Sequence, residues 1–495
     1  MCGRLLLRCR PLSSSVSAIH TLRKVGRMTS FFTDQRVAVT LAIGILLVAF
    51  LAARQISSMA RWRPAGPIAL LAATPLIPNI RLGLHLSADD LLPLIGLGML
   101  IWQGPLPSWT RSRLFQVALV SLFVATVARV ASAIANGTDV ADSLAMMIEA
   151  IVRPALLLAI AAYVATAQPA ERRRTFVATA VAIVGTFEAA FGLLAYVVPL
   201  PDHIGLQLLA AWKESLGGCG ARITGTLGLS ANHVGAVFIV TIPVTIALAI
   251  NQQGWRRWMW TAATATQGVA LILTFTRSSI ILAAVVFVAL LLYHRQVKLL
   301  LVALALSAVL LLSVTTPTCQ PKQGAPPANG GQGGGIAVIT NRLGDNTDRL
   351  ALWYSATVAM LDHPIFGVGL GRLQAVVASN PDRYVRTPFG IAGSTAHNTI
   401  LLAGAETGVL GAIATLVMNG VLTLAALFWI WRGRHQPLVS AAGFAVGAFL
   451  VQGMFNNLFT VGVTGVLLAL MVGTFASALT ESTDPRAGST AAGES

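Results

Sequence analysis

Charged side chains are scarce in this sequence, and acidic ones are scarcer still. Only 11% of the 495 residues are charged, with 18 acidic residues against 34 lysines and arginines, while the mean hydropathy is +0.75. Water-soluble domains carry about 25% charged residues. This deficit excludes an ordinary soluble fold and indicates a protein whose solvent is the lipid bilayer.

Apolar runs recur along most of the chain and predict its fold class. Most are long enough for a helix to cross a hydrocarbon core of about 30 Å, and helices are expected because lipid offers the backbone no hydrogen-bond partners. The sequence therefore predicts an all-α polytopic membrane protein with about 12–13 transmembrane helices. The spans are predicted near 37–53, 66–81, 90–103, 115–135, 143–166, 174–198, 231–250, 258–274, 278–293, 297–314, 399–430, 437–457 and 459–480. The runs at 66–81 and 90–103 are short for a full crossing.

The net charge of +16 follows from the distribution of arginines and does not indicate nucleic-acid binding. Basic residues concentrate in every second loop between the apolar runs, and such loops are normally cytoplasmic. This assigns the loops at 82–89, 136–142, 199–230 and 315–398 to the opposite, external face. The basic loops contain Arg54, Arg61, Arg63, Arg111, Arg113, Arg172, Arg173, Arg174, Arg256, Arg257, Arg295, Lys298, Arg432 and Arg434.

The N-terminus does not fit this alternation, because thirteen spans would put the basic segment 1–36 outside. Either the first two apolar segments form a hairpin or a single span, or translation starts at Met28. The Arg- and Ser-rich segment 1–27 also resembles an organellar transit peptide, although a basic cytoplasmic tail is preferred. We expect transmembrane helices over 37–314, an external loop over 315–398, further transmembrane helices over 399–480, and a disordered cytoplasmic tail over 481–495.

Cysteines are few, and no spacing of metal ligands is evident. Cys2, Cys9, Cys219 and Cys319 are the four cysteines. Cys219 and Cys319 both fall in predicted external loops, where an oxidising compartment permits a disulfide, but two unrelated free thiols are favoured. No Asp-x-Asp motif and no His/Cys/Asp cluster has the spacing of a metal site, so a metal-independent reaction without cofactors is expected.

The predicted external loop has three parts. Residues 320–335 are rich in glycine and proline, which is typical of a linker. Apolar residues at helical spacing then predict a helix near 348–361, stopped by Pro364, whose Trp353 lies either in the membrane interface or against neighbouring helices. The glycines at 367–371 predict a tight turn with close backbone approach. A dinucleotide-binding loop is disfavoured because no strand precedes them.

Ionisable residues beside a membrane are costly and are therefore candidates for function. Arginine is suited to a lipid-linked diphosphate because its planar fork binds phosphate oxygens and stays charged. His397, at the junction of the loop and the next helix, is the candidate base. The arginines predicted at the external face are Arg222, Arg277, Arg342 and Arg349, and the supporting candidates are Arg153, Glu149 and Asn398. Glu149 and Arg153 share a helix face, and either a structural pair or a functional role fits them.

Several motifs between about 220 and 411 resemble the O-antigen ligase and polymerase superfamily of bacterial membrane glycosyltransferases. The motifs are the segment 222–232, Thr276-Arg-Ser278, Arg349 with Trp353, Asp362-His-Pro-Ile-Phe-Gly-Val-Gly-Leu-Gly371, His397-Asn-Thr and Glu406-Thr-Gly408. The large external loop between late spans also resembles that family. The resemblance implies a GT-C-like ligase fold in a bacterial inner membrane, with the active site facing the periplasm or cell exterior.

The resemblance also implies a reaction. Such enzymes move a sugar or oligosaccharide from an undecaprenyl-diphosphate-linked donor to an acceptor hydroxyl, so the expected partners are this donor, a glycolipid or polysaccharide acceptor, and the bilayer. Arg222, Arg277 and Arg349 would hold the diphosphate, and His397 would be the base of a metal-independent, inverting transfer. O-antigen ligation is favoured; polysaccharide polymerisation and protein O-oligosaccharyl transfer remain alternatives within the superfamily. A transporter or flippase of lipid-linked sugars is the alternative of another class, although no repeated halves are visible.

Overall fold

The computed structural model describes most of the apolar part of the chain. The described residues are 50–76, 81–83, 86–103, 113–137, 151–167, 169–197, 213–215, 221–223, 231–299, 301–302, 304–305, 347–385, 396–456 and 462–479. The expectations for Cys2, Cys9, Cys219, Cys319, Glu149, Arg342 and the linker 320–335 lie outside these residues.

The described part is built almost entirely of helices. The helices are α1 (Ala65–Ala72), α2 (Ala88–Gln103), α3 (Arg113–Ala135), α4 (Arg153–Thr166), α5 (Ala170–Val197), α6 (Ala231–Asn251), α7 (Gly254–Leu273), α8 (Arg277–Tyr293), α9 (Thr347–Asp362), α10 (Leu373–Ser379), α11 (Pro381–Tyr384), α12 (Thr399–Arg432), α13 (Pro437–Gly453) and α14 (Gly462–Phe475). Residues 50–60 are also helical. Two antiparallel hairpins pair β1 (Arg81–Gly83) with β2 (Leu86–Ser87) and β3 (Lys213–Ser215) with β4 (Ala221–Ile223).

Four of the described helices are long and apolar enough to cross a membrane. They span Gln116–Ala135, Ala170–Leu194, Ala231–Asn251 and Thr399–His435. Shorter apolar helices cover Leu91–Gln103, Arg153–Thr166, Arg277–Tyr293, Pro437–Gly453 and Thr464–Phe475. The protein is therefore an all-α polytopic membrane protein, as its composition predicts.

Within the described residues, the apolar run predicted near 66–81 forms a short helix and a 3-10 turn. α1 has eight residues, about 12 Å of helix at 1.5 Å per residue, which is well short of a membrane crossing. The 3-10 turn Thr74–Leu76 follows it, because Pro75 cannot continue the helical hydrogen bonding.

Helix α6 forms the centre of the bundle. It packs against α5, α7, α8 and α13, and nearly every residue from Val234 to Ala249 is buried. Its sequence is apolar on all sides, which is the pattern of a helix surrounded by protein or lipid. Small residues allow close packing: a Cβ added at Gly235 would lie 2.6 Å from Ser279 Oγ of α8.

One buried amide joins three helices in this core. Gln267 of α7 donates to the hydroxyls of Thr186 at 3.0 Å and Thr245 at 3.1 Å. It accepts a hydrogen bond from the Thr241 hydroxyl at 2.9 Å. Polar groups in an apolar interior must be paired, so this cluster fixes the relative position of α5, α6 and α7.

Helices α9, α10 and α11 form a separate layer at one end of the bundle. Helix α9 packs against the first part of α12, and a second hydrophobic cluster around Ala356, Val368 and Leu373 lies beneath it. The helix predicted near 348–361 is observed as Thr347–Asp362. This layer and the adjacent helix ends contain the candidate site.

Candidate functional site

Five helices bring their ends to one region. The beginnings of α6, α8 and α12, the end of α13 and the first turns of α9 meet there.

The turn before α8 fixes the position of Arg277. Phe275 has a positive φ of 51°, which bends the chain sharply between α7 and α8. The Thr276 hydroxyl is within hydrogen-bond distance of the Ala231 carbonyl, at 3.1 Å, and of Asn232 Oδ1, at 3.2 Å. Arg277, the first residue of α8, is therefore held beside the beginning of α6.

Arg349 lies near Arg277. Its guanidinium donates a hydrogen bond to the Phe455 carbonyl at the end of α13. Burial and the positive charge of Arg277 both lower the pKa of Arg349. Two guanidinium groups that repel each other in a partly buried region are stabilised by a shared anion.

His397 lies beside Arg349 in a constrained turn. Its φ is 46°, a left-handed conformation that is uncommon for residues other than glycine. Asn398 follows it as the N-cap of α12, its side chain accepting from the amides of Ile400 and Leu401 at 3.0 Å each. Asn398 therefore positions His397 through the backbone.

The surroundings of His397 favour a neutral imidazole. Burial and, to a smaller extent, the positive charge of Arg349 lower the pKa of His397 below its usual value of 6.5. A ring that is unprotonated near neutral pH can accept a proton. His233, in the first turn of α6, is close enough to His397 for an electrostatic interaction.

The glycine-rich turn at 367–371 packs against a bend in α12. Gly367, Gly369 and Gly371 have φ values of 65°, 102° and 66°, which favour glycine. The Val368 amide donates to the Ala405 carbonyl at 2.8 Å. The turn is therefore a close backbone contact, as the sequence predicts.

Gly408 produces the bend in α12. Its φ of 78° and ψ of −176° interrupt the helical conformation, in a region of backbone space that only glycine adopts readily. The Val409 amide donates to the Pro364 carbonyl at 2.8 Å. A Cβ added at Gly408 would lie 2.3 Å from the Ile365 carbonyl oxygen.

Helix α3 closes the other side of this contact. The Ser132 hydroxyl donates to the Glu406 carbonyl at 2.7 Å, and the Asn136 amide donates to the Gly367 carbonyl at 3.3 Å. Glu406 also accepts the Gly371 amide at 3.1 Å and interacts with the charge of Arg129. The bend, the glycine turn and the end of α3 thus form one unit.

The outer layer is held by an ion pair. Asp362, at the end of α9, accepts two hydrogen bonds from Arg383 of α11 and one from the Tyr384 hydroxyl at 3.0 Å. Hydrogen bonding from Arg383 holds the pKa of Asp362 at about 2. Asp362 therefore stays ionised in all physiological conditions and links α9 to α11.

The predicted site residues are only partly brought together. Arg277, Arg349 and His397 lie close enough for electrostatic interaction, and Asn398 caps the helix that follows His397. Arg222 lies in β4, where its backbone pairs with Glu214 of β3. Strand β4 packs against α5, α6 and α7. The side chain of Arg222 is outside the described part of the structure, as are Glu149 and Arg342.

Arg153 begins α4. Trp353 packs against Phe455, with ring centroids 6.0 Å apart. Of the two alternatives for this residue, contact with a neighbouring helix end is the one observed.

The sequence motifs include Glu406, but no role was predicted from the sequence for Glu406, Arg129 or His233. Asn232-His233 opens a long apolar run, and Arg129 and Glu406 interrupt others, so the signal was polar residues at the ends of spans. Their proximity needed the tertiary structure. Among the described residues, no group of three or more His, Cys, Asp or Glu side chains could hold a metal ion.

Part of the chain is similar to a known family. Residues 260–416 match a family model described as O-antigen ligase. This segment contains Arg277, Arg349, His397 and the bend at Glu406–Gly408. No curated protein matches the chain.

Proposed function

We infer that this chain, a membrane glycosyltransferase of the O-antigen ligase and polymerase type by its matching domain at residues 260–416, uses an undecaprenyl-diphosphate-linked donor. It transfers the sugar or oligosaccharide of this donor to an acceptor hydroxyl, as in O-antigen ligation. The observation that carries the proposal is the cluster of Arg277, Arg349 and His397 at one end of the bundle.

The two arginines supply the binding site for the diphosphate. Their positive charges repel each other, and an anionic ligand reverses this repulsion. During transfer, negative charge grows on the diphosphate oxygen that leaves the anomeric carbon, so a fixed guanidinium stabilises the transition state more than the ground state. Arg222 is proposed as a third member, on the resemblance of its sequence motif.

His397 acts as the base in this proposal. The acceptor oxygen forms a bond to the anomeric carbon while the bond from that carbon to the diphosphate oxygen breaks. The acceptor proton passes to the imidazole of His397, and the lipid diphosphate leaves. Direct displacement inverts the anomeric carbon, and no step requires a metal ion.

The location of the chemistry follows from topology. The basic loops lie at the ends of the helices remote from His397; α12, for example, begins beside His397 and ends at Arg432. With basic loops in the cytoplasm, the site faces the periplasm or cell exterior of a bacterial inner membrane. This is where a lipid-linked glycan and its acceptor would meet.

The test is a transfer assay with the full chain in lipid nanodiscs. The donor is undecaprenyl diphosphate carrying an oligosaccharide, offered with lipid A core, a polysaccharide or a protein as acceptor. We expect His397→Ala to lower turnover by at least about 100-fold with donor binding largely retained. Arg277→Ala should weaken donor binding itself.

Matched controls lie at the opposite end of α12, in the 3-10 turn Gly433–His435. His435→Ala and Arg434→Ala remove the same groups far from the site and should leave turnover unchanged. Full turnover by the His397→Ala variant would refute the role of His397 as the base. In a parallel experiment with closed proteoliposomes, movement of the intact donor across the bilayer without transfer would favour a flippase.

A further inference from the structure

Buried polar atoms without partners concentrate beside the site. Within the described residues, eleven buried side-chain nitrogen or oxygen atoms lack a hydrogen-bond partner, and five of them belong to one neighbourhood. The five atoms are Ser278 Oγ, Trp353 Nε1, Gln452 Oε1, Asn456 Nδ2 and Asn456 Oδ1. A fold normally pairs such groups, so a concentration of unpaired ones indicates a place that a ligand completes.

Contacts connect these atoms to the site. Gln452 Nε2 donates to the Ser279 hydroxyl at 2.9 Å, which puts the end of α13 beside the first turn of α8. The Asn456 carbonyl lies 3.5 Å from the Thr399 hydroxyl, two residues after His397. Phe455 accepts the hydrogen bond from Arg349.

Asn456 is the most informative member. Its side chain is 3% exposed, and neither its amide nitrogen nor its amide oxygen has a partner. Gln452 is 0% exposed and has an unpaired oxygen. Both residues lie beyond residue 416, outside the segment that matches the O-antigen ligase family.

The chemistry of these atoms indicates their ligand. The amide of Asn456 offers two N–H donors and a carbonyl acceptor, Gln452 offers an acceptor, and Trp353 offers a donor. These groups are neutral, so they suit a ligand that both donates and accepts without carrying charge. Hydroxyl groups of a sugar have this property, whereas diphosphate oxygens only accept.

We propose that Asn456, with Gln452 and Trp353, binds the hydroxyls of the donor's first sugar, the one attached directly to the diphosphate. This inference rests on the proposed function, because it takes the diphosphate to lie on Arg277 and Arg349. The amides then adjoin the anomeric carbon and determine which sugar the enzyme accepts.

The test compares the binding of two lipids to the full chain in nanodiscs. One is undecaprenyl diphosphate, and the other is the same lipid carrying one hexose or N-acetylhexosamine, taken from a small panel. Wild-type protein should bind at least one glycosylated lipid about 10-fold more tightly than the bare lipid. Asn456→Leu should reduce this ratio to near one while leaving affinity for the bare lipid unchanged.

Two control variants separate the possible causes. Arg349→Gln should weaken the binding of both lipids by a similar factor. Gln103→Met alters a remote amide at the end of α2 whose oxygen is also unpaired, and it should change neither affinity.

The Tm of the protein without ligand distinguishes a binding role for Asn456 from a structural one, because the two roles predict different effects of Asn456→Leu on the Tm. Because the Asn456 amide has no partner, Asn456→Leu should leave the Tm unchanged or raise it. A lowered Tm would show that the amide supports the fold and would overturn the proposal.

The outcomes distinguish this proposal from the proposed function. If wild-type protein transfers glycan and Arg349→Gln weakens both lipids, but Asn456→Leu keeps the sugar preference, only the sugar site is wrong. The sugar site alone is also wrong if wild-type protein transfers glycan but no glycosylated lipid in the panel binds more tightly than the bare lipid. If wild-type protein neither binds these lipids nor transfers glycan, the proposed function fails and the sugar site fails with it.

Discussion

Replacing Gly408 by alanine tests whether the bend in α12 holds the site together. At φ 78° and ψ −176°, a residue with a Cβ costs of order 1–3 kcal/mol in backbone strain alone. The added Cβ would lie 2.3 Å from the Ile365 carbonyl oxygen, whereas real Cβ atoms essentially never come within 3.0 Å. Either the segment at Ile365, just before the glycine turn, or α12 must therefore move by about 0.7 Å, the difference between these distances.

The same helix offers a matched control in Gly420. A Cβ added there would meet no atom within 4 Å, and the backbone is helical. Gly420→Ala should therefore stabilise the protein by roughly 0.5–1 kcal/mol. The two substitutions add the same methyl group to one helix, and their free energies of unfolding should differ by roughly 1.5–4 kcal/mol.

The effect should extend to activity. The helical segment from Thr399 to Gly408 is about 15 Å long at 1.5 Å per residue, and His397 precedes it. A shift at the bend moves the imidazole relative to Arg349, and misplacement of about 1 Å can cost roughly 100-fold in rate. We expect Gly408→Ala to lower turnover by 10–100-fold, while Gly420→Ala retains wild-type turnover.

Both readouts can be measured on one preparation. Unfolding is followed by tryptophan fluorescence in detergent micelles, and turnover by transfer of glycan in nanodiscs. If Gly408→Ala and Gly420→Ala unfold within about 0.5 kcal/mol of each other, the argument from backbone strain is wrong. If Gly408→Ala is unstable but fully active where it is folded, the bend does not position His397.

Two other predictions concern the proton and the core. Because the pKa of His397 is lowered from 6.5, the base stays unprotonated at pH 7, and turnover should fall only as the pH drops below about 6.5. In the Arg349→Gln variant, the loss of a positive charge should raise the pKa of His397, so the fall in turnover at acidic pH should begin at a higher pH. An unchanged pH–rate profile would contradict the proximity of the two residues. Gln267→Leu removes the amide that joins three helices and should lower the free energy of unfolding by about 1 kcal/mol. The control Thr266→Val removes only an exposed hydroxyl bonded to the Ala262 carbonyl and should have little effect. If the two variants are equally stable in thermal unfolding, the buried network contributes nothing to stability.

Much of the candidate site was predictable because its residues stand out chemically in an apolar chain. Arg277, Arg349 and His397 interrupt or border hydrophobic runs, and a costly group in such a place indicates function. Asn398 was also a candidate, but its part as a helix cap depends on where α12 begins. His233, Asn456 and Gln452 were not predicted, because a single polar residue at the end of a span carries little information until its neighbours are known.

The amino-acid sequence by itself determined the all-α membrane fold and most of the helix positions, since the length and polarity of each run decide whether a segment can lie in lipid. It also determined that glycines at 367–371 form a tight turn. Only the tertiary structure decided that this turn packs on the bend at Gly408, that Arg349 joins Arg277 and His397, and that the Asn456 amide is buried without a partner. Those contacts join parts of the chain that are dozens of residues apart, and local sequence carries no information on which distant helix ends will come together.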